Sequence, residues 1–364
     1  MRGRLLPTAQ RGPTGRRALR PVRSRVIHAS MPALDPVDIA VHLMEADSTS
    51  GREEPAIARA EALLSGRGWW CARIPVGPGR DNLLATSGDL PKVTLSTHLD
   101  TVPPYLPPRR AGGTLYGRGA CDAKGIAASM ICAAEGLRAT GVSVALLFVV
   151  GEETAHDGAR AANAYQTSST ILINGEPTES TLALGTKGAI RATVRVHGRA
   201  AHSAYPAHGR SATRELVQLL AELETLKLPQ DDVLGATTIN IGFLSGGVAD
   251  NVLAPVAEAR LMARLVTPAA ELQDILRAWA HGRAELEFGV MVPPVRLTVL
   301  PGFATSVVAF ATDIPALSAW GKPYLFGPGS ILQAHTDDEC VAEADLVSAV
   351  DAYQLLAHEA LARL

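Results

Sequence analysis

The stretch "KGIAASMICAAEGLRATGVSVALLFVVGEE", Lys124–Glu153, decides the fold. Its first half is rich in Ala and Gly, which predicts a helix able to pack closely on a sheet. Its second half runs apolar without alternation from Val144 to Val150, which predicts a strand buried on both faces. A close-packing helix that leads into such a strand is the repeating unit of an α/β fold. Working outward, "DPVDIAVHLMEA" and "EPAIARAEALL" read as amphipathic helices, and "DNLLAT", "KVTLSTHLD" and "STILINGEP" as strands. Polar residues stand at the ends of these strands, at His98, Glu152 and Glu176, where open parallel sheets place their ligand sites.

From about Lys187 the texture changes. "GAIRATVRVHGRAAHSA" alternates like a half-exposed strand, "SATRELVQLLAELETL" is a helix, "TTINIGFLSGG" and "VAEARLMARLV" are strands, and "PAAELQDILRAWAH" is a second helix. That order describes a compact α+β unit. Apolar strand patterns resume at "VVAFATDIP" and "KPYLFGP", and the chain closes on the helix "EADLVSAVDAYQLLAHEALARL". The expected organisation is a catalytic α/β domain over 31–186 and 294–364, interrupted by the α+β unit over 187–293. Residues 1–30 carry eight Arg and no acid, and are expected to be a disordered or non-native extension with the effective start at Met31.

A chain of 364 residues with 47% hydrophobic and 19% charged residues has ample material for a large core and two domains. Its net charge of -2 gives no overall attraction to nucleic acid or membrane, so neither is an expected partner. No apolar run approaches the ~20 residues of a membrane span. Four cysteines without a CxxC pair fit a reducing compartment, and a cytoplasmic location is expected.

The chemistry-bearing candidates are His98 and Asp100 in "STHLDTVP", Asp122 in "GRGACDAKG", Glu152 and Glu153 in "VVGEET", Glu176 in "NGEPT" and His335 in "AHTDDE". Each alone has an ordinary reading as a solvated strand-end residue. Together they would crowd several negative charges into one crevice, which is costly without cations to neutralise them. Imidazole and carboxylate suit zinc and related divalent ions, and the lack of adjacent thiolates argues against a closed structural zinc site.

With "AAHSAYP" added, these motifs occur in the order found in the zinc-dependent amidohydrolases and exopeptidases that include acetylornithine deacetylase, succinyl-diaminopimelate desuccinylase, aminoacylase and carboxypeptidase G. The chain resembles that family from about Asp35 to its C-terminus. The resemblance implies a di-metal catalytic domain with an inserted lid that in many members forms a homodimer. It also implies that His98 binds one metal and His335 the other, that Asp122 bridges them, and that Glu153 and Glu176 complete the two sites. Asp100 is expected to orient His98, because ligand imidazoles commonly donate their second N–H to a carboxylate. Glu152 is expected to be the general base; consecutive residues of an extended segment face opposite ways, which would free it from the task of Glu153. The Asp122–Ala123 bond resembles one that is often cis in relatives.

On the same grounds His202 is expected to stabilise the oxyanion from a neighbouring subunit, and Asn251 and Arg264 to hold a substrate carboxylate, for which a guanidinium has the right fork geometry. Gly327, Gly329 and Ser330 in "FGPGS" are expected to line the substrate pocket. The implied cofactor is a pair of divalent ions, zinc first, with cobalt or manganese as substitutes. The expected reaction removes an acyl group from a small N-acyl amino acid, with N-acetylornithine foremost. Succinyl-diaminopimelate, acetyl-lysine, acetyl-citrulline and short peptides are alternatives. A non-catalytic binding protein on the same scaffold ranks below these, because every ligand position and the base carry suitable residues.

Overall fold

The structure is a computed structural model that describes residues 34–165 and 167–364. The Arg-rich head lies outside the described residues.

The main sheet is built from β1 (Trp70–Gly77), β2 (Arg80–Thr86), β3 (Val93–His98), β6 (Val144–Val149), β7 (Ile171–Asn174) and β17 (Lys322–Leu325) in the order β1-β2-β6-β3-β7-β17. β6, β3, β7 and β17 run parallel, and the β1–β2 hairpin adds an antiparallel edge. Every residue of β3, β6 and β7 is buried; the apolar runs of β6 and β7 require it, and β3 buries Thr94, Ser96 and Thr97 as well. Leu146 and Phe148 face a core shared with α1 (Pro36–Met44), α2 (Glu54–Gly66), α3 (Lys124–Ala139) and α7 (Glu343–Leu361). Ala145, Leu147 and Val149 face the other side, against α4 (Asp157–Asn163) and a 3-10 segment at Ile314–Trp320. Burying each large side chain contributes roughly 1.5–3 kcal/mol, so this doubly covered sheet is the rigid base of the molecule. The small residues of α3 serve close approach: a Cβ on Gly125 would stand 2.2 Å from the Ala120 carbonyl oxygen.

Smaller strands finish the larger α/β unit. β4 (Arg109–Ala111), β5 (Thr114–Tyr116) and β18 (Cys340–Ala342) form one three-stranded sheet, and β8 (Leu182–Thr186), β15 (Val295–Arg296) and β16 (Thr305–Val308) another.

Between β8 and β15 lies the inserted unit. Its sheet runs β12 (Thr238–Gly246), β13 (Val256–Leu265), β9 (Gly188–His197), β14 (Glu285–Val292), all antiparallel. One face, with Ile190, Val194, Leu261 and Leu265, packs on α5 (Ala212–Ala221) and α6 (Ala269–Ala280). A 3-10 turn at Glu222–Thr225 ends the α5 region, and the short pair β10 (Gln230–Asp231) and β11 (Gly235–Ala236) links it to β12.

Several short elements are absent from the sequence reading, and two of the differences bear on the site. β14 adds a fourth strand to the insertion; Leu286 and Phe288 pack against its core between exposed Glu285 and Glu287, but the register shifts between Phe288 and Met291, which breaks the two-residue period. "VVAFATDIP" is strand only as far as Val308, after which Asp313 is buried at the head of the 3-10 segment.

Candidate active site

His98 ends β3 and is 1% exposed. Its Nε2 lies 3.0 Å from Asp122 Oδ1, while Asp122 Oδ2 lies 3.3 Å from His335 Nε2. That same His335 nitrogen is 3.0 Å from Glu153 Oε1. Asp122 therefore offers one oxygen to each imidazole. Donor atoms of His98, Asp122 and Glu153 all fall within 4.8 Å of one another. Glu176 is buried beside them, and its Oε1 has no hydrogen-bond partner.

Neighbouring groups hold these donors in place. His98 Nδ1 sits 2.9 Å from the main-chain oxygen of Asp100 and 3.5 Å from its Oδ1, so the backbone carbonyl is the closer orienting group. The Asp100 carboxylate accepts from the backbone N–H groups of Glu152 and Glu153, at 3.1 and 3.2 Å, and from the Ser50 hydroxyl at 2.8 Å. It thus fixes the strand end and the Glu152–Glu153 turn at once. Those two glutamates lie in a turn rather than an extended strand, opened by Gly151 at φ +73, so their separate directions come from turn geometry. A Cβ on Gly151 would stand 2.0 Å from Asp157 Oδ1. The Asp122–Ala123 peptide is cis.

Sequence reasoning missed Glu339, the last acid of "AHTDDE". It is 1% exposed; Oε1 accepts from the N–H groups of Gly119, Cys121 and Asp122 at 2.9, 3.2 and 3.1 Å, and Oε2 from Arg118 Nη1 at 2.6 Å. The loop that carries Asp122 is thereby clamped to the loop that carries His335. Only its place within a quoted motif hinted at this.

The electrostatics are those of an anion-rich cavity. Burial, reinforced by Glu176, pushes Glu152 well above the usual carboxyl range. Burial does the same to Glu176, with Asp122 and Glu153 adding repulsion against the pull of His98. Asp122 goes the other way: burial would raise it, but hydrogen bonds from His335 and His98 hold it below its ordinary value. His98 is raised despite burial, by Asp100 and Asp122, and His335 is raised to about 10 by Asp122 and Glu153. Divalent cations would relieve both stresses by lowering the carboxyls and displacing the imidazole protons. The orphaned Glu176 oxygen and the nitrogen–oxygen donor set both fit such ions.

A crevice of about 250 Å³ joins this cluster to the inserted sheet, with Arg191 and Arg264 among its lining. Arg264 lies on the sheet face not covered by α5 and α6, is half-buried, and has no carboxylate partner among the described residues. Burial alone pulls its guanidinium below the ordinary range. Arg191, two strand positions from Ala189, was not anticipated.

Other expected site residues fall elsewhere. His202 and Asn251 are exposed together on a corner of the inserted unit and do not line the crevice; His202 bridges to Val252, and the Asn251 carbonyl accepts from Ser203 N–H at 2.9 Å. Gly327, Gly329 and Ser330, expected to line the substrate pocket, are not among the residues that line this crevice. A Cβ on Gly327 would lie 2.3 Å from the Glu176 carbonyl oxygen, one on Gly329 2.6 Å from Cys121 Sγ, and Ser330 donates to Glu179 at 2.7 Å. Close packing on the Glu176 backbone explains Gly327, and a left-handed φ of +82 beside the Cys121 side chain explains Gly329, while Ile331 reaches the crevice.

A buried imidazole at the end of β3, the buried carboxylates beside it, the more exposed His335 on its loop, a half-buried guanidinium opposite with no carboxylate partner among the described residues, and a crevice between them define a metal-dependent amide hydrolase. The chain belongs to peptidase family M20/M25/M40, whose model matches residues 94–359. A peptidase M20 domain-containing protein of Schizosaccharomyces pombe is 38% identical over 331 residues, 87% of this chain and 83% of that one. A probable carboxypeptidase of Aspergillus fumigatus is 35% identical over 376 residues, covering 88% and 86%. A tripeptidase structure from Staphylococcus aureus matches with a TM-score of 0.74 at 19% identity, over 89% of this chain and 98% of its own, a likeness of fold.

Proposed function

We propose that the protein cleaves an amide bond whose amine side ends in a free carboxylate, in N-acyl amino acids or short peptides. The observation that carries this is Arg264: a half-buried guanidinium facing the catalytic cluster with no acidic partner among the described residues. A substrate carboxylate would neutralise it in bidentate geometry. The probable carboxypeptidase among the relatives supports the peptide end of this range. N-acetylornithine is the specific N-acyl candidate, supported by the resemblance described above.

In this reading His98, Asp122, Glu153, Glu176 and His335 hold two divalent ions, zinc first. When bound, the ions acidify water and polarise the acyl oxygen. Glu152 takes the proton from water and delivers it to the departing nitrogen, a task suited to a carboxyl whose affinity for protons is raised by burial. Asp100 keeps Glu152 and His98 in register, its carboxylate accepting from the Glu152 N–H and its main-chain oxygen meeting the His98 ring. His202 stands outside the crevice of its own chain, so a second copy would supply it as the oxyanion donor. β12 supports such pairing: it is a sheet edge with Ile241, Phe243 and Leu244 exposed. Free cysteines at all four positions support a reducing, cytoplasmic setting.

The test is amine release from acetyl- and succinyl-amino acids, N-acetylornithine among them, and from dipeptides, using chelated and zinc-reloaded protein. Zinc-dependent turnover that falls at least tenfold in Arg264→Ala, through KM, supports the reading. Equal turnover of a substrate and its carboxamide would refute the carboxylate requirement.

A further inference from the structure

The crevice does not end at the catalytic cluster. His156, Val290 and Val292 line both it and a second cavity of about 500 Å³. That cavity lies between β14 and the α4 and 3-10 segments, and Met291, Pro315 and Ala316 give it an apolar wall. Val290 and Met291 are about half exposed there, a cost to a monomeric surface that binding an apolar group would offset. The strand order sets the direction. Arg264 is on β13, Arg191 on the adjacent β9, and Val290 on β14 beyond it, at about 4.8 Å per strand. The cavity mouth adjoins Glu152, since His156 Nδ1 lies 3.6 Å from Glu152 Oε1. A chain anchored by its carboxylate on Arg264 and crossing the cluster therefore continues past His156 into the cavity.

His156 is fixed at that junction. Its Nδ1 is 2.8 Å from the buried Asp313 carboxylate, and its backbone is left-handed at φ 52, unusual for a non-glycine residue and retained where the surroundings enforce it. With Nδ1 held between Asp313 and Glu152, Nε2 has no hydrogen-bond partner among the described residues.

We infer that the cavity between β14 and the 3-10 segment is a subsite for an apolar group on the acyl side of the scissile bond, an aliphatic acyl chain or an apolar residue, with His156 as the positioning residue at its entrance. This deepens the hydrolase reading and rests on it. The inference disfavours acetyl as the preferred acyl group, because a two-carbon acyl would leave the cavity unfilled.

The experiment compares N-acetyl and N-hexanoyl derivatives of whichever amino acid the panel above turns over best, with zinc-loaded full chain. The expected hexanoyl-to-acetyl ratio of kcat/KM is about ten- to a hundredfold, the range for several buried methylenes. Ala316→Trp, which fills the cavity, and Met291→Glu, at an exposed position that tolerates the change, should each bring the ratio towards one. Binding of the hexanoyl compound to Glu152→Gln protein should weaken by a similar factor when Met291→Glu is added. A wild-type ratio of one or less, or a ratio unmoved by both variants, overturns the subsite and leaves the hydrolase intact. No turnover of any panel member or of its hexanoyl counterpart overturns the hydrolase reading and the subsite together.

Discussion

Glu339 touches none of the expected metal donors through its side chain, yet replacing it should weaken metal binding. In Glu339→Gln the amide oxygen can still accept from the loop N–H groups, but the Arg118 guanidinium, 2% exposed, loses its only carboxylate partner among the described residues. Breaking a buried ion pair on one side costs about 3–5 kcal/mol. Part of that would be recovered if the Gly119–Asp122 loop moved to let the guanidinium reach water. Movement of that loop displaces Asp122, whose two oxygens face His98 and His335 from a fixed backbone. Loss of such a supporting contact typically lowers metal affinity about 10- to 100-fold. Chelator competition would give the affinity, and denaturant unfolding of the metal-free protein the stability. Glu343→Gln, which removes the carboxylate from a surface ion pair with the exposed Arg110, is the control; it should leave metal affinity unchanged and cost far less stability than Glu339→Gln. Loss of stability with metal affinity within twofold of wild type would refute the argument that Glu339 acts through the position of Asp122.

Glu152→Gln should retain both metals and lose about a hundred- to ten-thousandfold in turnover, the usual worth of a positioned acid–base group; normal turnover in a metal-replete sample would remove Glu152 from that role. Metal affinity should rise with pH across the neutral range, because His335, raised to about 10 in the metal-free protein, must give up a proton to become a ligand. Titration calorimetry in buffers of different ionisation enthalpy reads that proton directly, and an affinity flat between about pH 6 and 8 would contradict it. The sign for the metal-free fold is opposite: a raised imidazole stabilises it fully below about pH 6.5 and ceases to do so as pH climbs through about 10, so chelated protein should lose stability in alkali.

Residues whose task is local were legible in the sequence, and those whose task depends on long-range packing were not. The Glu152–Glu153 pair could be located because β6, buried on both faces, announces itself as an unbroken apolar run, and His98 because it closes a short strand rich in β-branched residues. Glu339 and Asp313 gave no such signal. Each is an acid in a loop, and what removes it from solvent is a partner 221 positions away for one and 157 for the other. The glycines of "FGPGS" show the same divide from the other side: a requirement for close approach was readable, but whether substrate or the Glu176 backbone made the approach was not. Function here depends on that long-range layer. Imidazoles and carboxylates that attract cations also repel or protonate one another without them, so the donor geometry cannot come from the donors alone. It comes from contacts outside the cavity, where the Asp100 and Glu339 carboxylates hold the backbones of Glu152, Glu153 and Asp122 in place before any ion arrives.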